Sequence, residues 1–123
     1  MKALSVKQPW ANLIAIGEKT IETRTWATQY RGPLLIVSSK TPRIAPAGYA
    51  LALVELVECR PMMLSDEKSA RCPVYDNAIA WLFRNIRALE PFPVKGQLSI
   101  FDVDVKPTDL QFKTLPHPHE NVR

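Results

Sequence analysis

The chain has 123 residues, 46% of them hydrophobic, with 11 prolines, 4 glycines, 2 cysteines and a formal net charge of +4. That length supports one domain with a core large enough to stand without disulfides or a structural metal. No apolar run approaches the length of a membrane span and Met1-Lys2-Ala3-Leu4 lacks a signal peptide's apolar region, so a soluble cytoplasmic protein with no membrane partner is expected.

Ala3 to Val6 reads as a short first strand, its apolar run interrupted by Ser5 and ended by Lys7. Pro9 suits the first turn of a helix, and Trp10, Leu13 and Ile14 at i, i+3 and i+4 share one face, which assigns Trp10 to the core. Gly17 supplies a left-handed stop. From Lys19 to Arg24 the pattern changes to Ile21, Thr23 and Thr25 alternating with charge, a second strand. Period 2 puts Glu22 and Arg24 on one face, close enough to pair, with Lys19 in the joint before them. On its own this is a solvated strand with an exposed lysine; a concave site would make it a cluster of amine, carboxylate and guanidinium.

Thr25 to Arg31 is a polar loop carrying Trp26 and Tyr30, and Leu34 to Val37 is a central strand apolar enough to be buried on both faces. Thr41 to Gly48, with Pro42 and Pro46, is a loop. Tyr49 to Glu58 is a long strand that places Glu55 on a mostly apolar face, so Glu55 needs an ion-pair partner or faces a cavity as a proton-transfer group. Arg60-Pro61 ends it, and Ser65 to Lys68 suits a short surface helix. Helix and strand both fit Ala78 to Phe83, with the aromatic content favouring strand; Ile86 to Leu89 continues the sheet and Pro91-Phe92-Pro93 forms an extended crossing. Leu98 to Val105 alternates as a barrel-closing strand. From Lys106 the prolines at 107, 116 and 118 oppose regular structure, which divides the chain into a domain over 1–106 and a tail over 107–123.

Charge is unevenly distributed. Through Arg43 seven cations stand against Glu18 and Glu22, a net of +5, so the remainder carries −1. Trp10, Trp26 and Tyr30 lie among these cations, a composition suited to stacking bases beside phosphates, although aromatic packing explains it equally for Trp26 and Tyr30. Cys59 and Cys72 lack a CxxC spacing and are expected reduced. His117 and His119 have no third ligand nearby, so no metal and no cofactor is expected.

Gly17, Lys19, Glu22 and Arg24 match the G-x-K-x-x-E-x-R signature of the ASCH (activating-signal-cointegrator homology) domains, which the chain resembles. Gln8-Pro9-Trp10-Ala11 before the motif and Tyr30-Arg31-Gly32 after it look most like the cointegrator branch. The resemblance runs to about Val105 and implies a mainly β (α+β) fold. That fold is a small barrel of the pseudouridine-synthase-and-archaeosine-transglycosylase (PUA) type with a short N-terminal helix and one or two further short helices. It also favours strand at 78–83. It implies binding of RNA or a nucleotide in a basic cleft, with Gln8, Lys19, Glu22, Arg24, Trp26, Tyr30 and Arg31 as ligand-binding residues, and protein partners in a larger assembly. The alternative is a small hydrolase, an N4-acetylcytidine amidohydrolase or a ribonuclease, using Lys19 with Glu22 or Glu55. The amidohydrolase relatives carry a threonine three positions after the motif lysine. Here that position is Glu22, so Thr20 or Thr23 would have to substitute.

Overall fold

The computed structural model describes residues 1–114. Its strands are β1 Lys2–Val6, β2 Ile21–Arg24, β3 Gly32–Ser38, β4 Tyr49–Pro61, β5 Ile79–Pro93 and β6 Ile100–Asp102. Helix α1 is Trp10–Ala15 and α2 is Glu67–Ala70, the latter led in by a 3-10 turn at Leu64–Asp66. All six strands join one sheet in the order β2-β5-β4-β3-β1-β6, curled into a half-barrel. This is the small, mainly β, PUA-like fold expected. Every neighbouring pair is antiparallel except β1 with β3.

β3 is the middle of the core. Leu34, Leu35, Ile36 and Val37 are all fully buried, as their continuous apolar run requires. Leu34 and Ile36 pack with Leu4, Val6, Ile14, Val54 and Trp81 on the face covered by α1. Leu35 and Val37 pack with Ala3, Leu89, Phe101 and Leu110 on the opposite face. Each such side chain contributes about 1.5–3 kcal/mol by leaving water.

Four expectations are corrected here. α1 buries Ala11 and Ile14, so Trp10 is turned outward and is 37% exposed. β5 is one strand through Pro93 rather than a strand and a crossing. β2 pairs with β5 from Ile79 to Leu82 alone, whereas β4 pairs with β5 along its length, placing Ala50 opposite Phe92 and Tyr49 opposite Pro93. β6 is three residues long and does not close a barrel: it is the edge of the sheet and pairs only with β1. The first part of the expected tail is structured. A 3-10 turn at Pro107–Asp109 precedes buried Leu110, Phe112 bridges Leu89, and the Arg87 guanidinium lies 3.5 Å over the Phe112 ring. His117 and His119 lie outside the described residues. Among the described residues no helix is long and apolar enough to cross a membrane.

Candidate functional site

Edge strand β2, strand β1 and the segment just before β6 border one cavity, and the motif side chains lie in it. Gly17, at φ +81°, ends α1 in the left-handed conformation and sends the chain directly into Lys19 and β2. Lys19 is 1% exposed. Its Nζ donates to the carbonyls of Ile21 at 2.7 Å and Ala70 at 2.5 Å and lies 3.4 Å from Glu22 Oε1. Two carbonyls thus take two hydrogens of the ammonium, and Glu22 pairs with its charge. Burial pushes the Lys19 amine below its ordinary 10.5, and the Glu22 carboxylate opposes that fall.

Glu22 is held from both sides. Its Oε2 accepts from Arg24 Nε at 3.1 Å and Nη2 at 2.8 Å, while Oε1 faces Lys19. Arg24 Nη2 also donates to the Ser5 carbonyl at 2.7 Å, tying edge strand β2 to β1 across the unpaired gap. The expected amine, carboxylate and guanidinium therefore converge. Arg24 Nη1 has no hydrogen-bond acceptor among the described residues, and Glu22 Oε1 keeps acceptor capacity beyond Lys19.

These groups line a cavity of about 460 Å³. Ser5, Val6 and Lys7 of the β1 side form one wall, Thr23 and Cys72 another, and Gln97 to Ser99 a third. Trp10, exposed Leu98 and Tyr75, which is 41% exposed, bring apolar surface to the cavity. Ser5 Oγ is buried without a hydrogen-bond partner among the described residues, and Gly96 passes so close that a Cβ there would come within 2.8 Å of it. Cys72 Sγ lies 3.7 Å from Thr23 Oγ1, and both cysteines are free thiols.

The other expected site residues are elsewhere. Gln8 is buried, with Oε1 accepting from Asn12 N at 2.9 Å and Nε2 donating to Asn12 Oδ1 at 3.0 Å; it fastens the start of α1. Trp26 packs edge-on against Trp81, centroids 4.8 Å apart, and its carbonyl accepts from Trp81 Nε1. The Tyr30 hydroxyl donates to the Pro33 carbonyl, and Arg31 Nη1 to the carbonyls of Thr28 at 2.6 Å and Tyr30 at 2.8 Å. Glu55, half-buried in β4, accepts from Asn85 Nδ2 at 2.9 Å. None of these five lines the cavity. Conversely, Ser5, Lys7, Trp10, Cys72 and Tyr75 were not expected there. The polar interruptions of the first apolar run at Ser5 and Lys7 were the available signal: they share the face of Ala3, which is core at its start and opens onto the cavity at Ser5 and Lys7.

The family model for the ASCH domain matches residues 4–93. Activating signal cointegrator 1 of Homo sapiens is 27% identical over 129 residues, an alignment covering 84% of this chain and 22% of that protein. The Mus musculus protein of the same name is 26% identical over the same shares. This chain thus spans about a fifth of the length of these curated relatives. Among solved structures, ASCH from Zymomonas mobilis superposes with a TM-score of 0.65 at 14% identity, covering 83% of this chain and 86% of that chain. Its S128A mutant gives 0.56 at 15% identity, with 76% and 73% covered. At these identities the structural likeness speaks for the fold.

Proposed function

The chain belongs to the ASCH domain family, and from that premise we propose that it binds single-stranded nucleic acid, RNA foremost, by seating one base in the motif cavity. The family is PUA-like and generally associated with nucleic-acid binding. One observation carries the reading: a buried cluster, whose two cations share one carboxylate, meets exposed aromatic surface in a single concavity. The volume of about 460 Å³ falls within the range of small-molecule sites, roughly 300–1,000 Å³. Glu22 Oε1 offers an acceptor and Arg24 Nη1 a donor, the pairing that a base edge presents in reverse. Trp10 and Tyr75 supply flat faces for stacking.

Hydrolysis fits the geometry less well. A general base needs a free lone pair, and the Lys19 amine is held as an ammonium by two carbonyls and the Glu22 carboxylate. Glu55, the other carboxylate considered, does not line the cavity. Half-buried, unpaired Cys59 and Cys72 support a reducing, cytoplasmic setting as part of the same proposal. The relatives' greater length supports a place for the domain beside protein partners in a larger assembly.

The test pairs binding with turnover. A fluorescein-labelled eight-nucleotide RNA of randomised sequence is titrated by anisotropy, and RNA and N4-acetylcytidine are incubated separately and followed by chromatography. Binding without turnover is expected, with Trp10→Ala weakening it about tenfold, from the roughly 1–3 kcal/mol of one stacked base. Turnover that disappears in a folded Lys19→Met variant would overturn the reading in favour of hydrolysis.

A further inference from the structure

The seven cations of the first 43 residues do not share one role. Lys2 pairs with Asp102 at 3.1 Å, Lys19 and Arg24 close on Glu22, and Arg31 donates to two backbone carbonyls. Lys7, Lys40 and Arg43 remain, all exposed and with no carboxylate partner among the described residues.

Topology gathers those three. β1 and β3 are parallel neighbours, with Val6 opposite Ser38, so the segments leaving both strands emerge at the same end of the sheet. Lys7 leaves β1 there, and Lys40 and Arg43 follow β3. Ser39 N donates to Val6 O at 2.9 Å, and Asn12 Nδ2 donates to Ala45 O at 3.2 Å, fastening the 39–45 segment to the β1–α1 connection at both ends. The Lys40 stem lies along Gly48, where a Cβ would come within 2.8 Å of its Cε. Lys7 and Ser39 also line the cavity, so this basic lip is continuous with its mouth.

We infer that Lys7, Lys40 and Arg43 form a phosphate track beside the cavity, holding the backbone of a single-stranded nucleic acid while the motif, its cations already engaged by Glu22 and by carbonyls, reads one inserted base. This rests on the base-seating reading above and adds the division of labour. Phosphates go to cations without an internal counter-charge, because counterion release needs charge that the protein has not already compensated. The motif cations are compensated by Glu22 and by carbonyls, so they contribute geometry at the base edge and little to salt dependence.

The experiment uses the labelled eight-nucleotide RNA, titrated across a range of salt concentrations, with wild type and a Lys7→Ala/Lys40→Ala/Arg43→Ala variant. Binding of the four free ribonucleosides is followed in parallel by ligand-observed NMR. The triple variant keeps the wild-type Tm, since all three side chains are exposed. Its slope of log K against log salt is expected to become shallower by about 2, from roughly 0.7 per phosphate contact on a single strand. Nucleoside binding by a Lys40→Ala/Arg43→Ala double variant, which leaves the cavity lining intact, is expected to be unchanged. An unchanged slope in the variant overturns the track. So does a wild type that binds nucleosides but not the RNA, which leaves the cavity reading standing. Failure of wild type to bind either overturns both.

Discussion

Lys19 is as buried as the core leucines, yet its ammonium meets two carbonyls and a carboxylate. Breaking such a cluster costs more than the cluster gains, because the surviving charges and carbonyls stay desolvated. Glu22→Ala would strand Lys19 and loosen the Arg24 strut to Ser5. A loss of about 3 kcal/mol is expected, a Tm drop of roughly 10 °C by calorimetry. An unchanged Tm would mean that the cluster is solvated in solution. Gln8→Ala separates the two kinds of residue: it removes the Asn12 contacts and should cost about 1 kcal/mol of stability while leaving RNA affinity unchanged. A loss of affinity without loss of stability would return Gln8 to the ligand. The Glu22–Arg24 pairing was legible from strand period alone. The burial of Lys19 was not, because one of its acceptors, Ala70, lies 51 residues away. Trp10 was misassigned because helical spacing gives a face and not its direction; Ala11 and Ile14 decide that.

At the scale of elements, the connection after β4 is fixed by a carboxylate. Asp66, 4% exposed, accepts from Arg60 Nη1 at 2.7 Å and Nη2 at 2.9 Å and from Met63 N at 2.8 Å. It thereby sets the 3-10 turn from which α2 carries the Ala70 carbonyl to Lys19. The Arg60 guanidinium holds the Asp66 carboxyl below its ordinary 3.8, with the Met63 N–H acting in the same sense and burial opposing. A depressed folded value means that this stabilisation is complete above pH 3.8 and is lost as pH falls through the folded value. Asp66→Asn is expected to cost about 2–3 kcal/mol at neutral pH and to flatten the loss of stability below pH 3.8, measured by urea unfolding across pH. Parallel pH profiles for wild type and variant would contradict the assignment. The strands with continuous or alternating apolar pattern, β1, β3 and β4, were readable in advance. The unbroken run of β5 through Pro93 was not, since two prolines in three residues argue locally for a break and the pairing with β4 overrides them. Nor was the packing of residues 107–114, where Leu110 and Phe112 outweigh the helix- and strand-breaking Pro107.

At the scale of the molecule, the parallel pairing of β1 and β3 does what no local pattern announces. It sets the end of the first strand, the motif strand and the loop after β3 around one opening, although they come from separate parts of the chain. The concentration of positive charge before Arg43 was visible as a count, but not its split into internally compensated and free cations. A second cavity, of about 650 Å³, touches the motif only at Gly17 and is lined by Ile16, Leu89 and Lys113 among others, so the ligand's location can be tested against a real competitor. The most direct test is an amide chemical-shift map of the isotope-labelled protein titrated with the eight-nucleotide RNA. The account predicts the largest saturable shifts at Ser5, Lys7, Thr23, Arg24, Cys72 and Gln97. Saturable shifts centred on Ile16, Leu89 and Lys113, with the Thr23 and Arg24 amides unmoved, would contradict it.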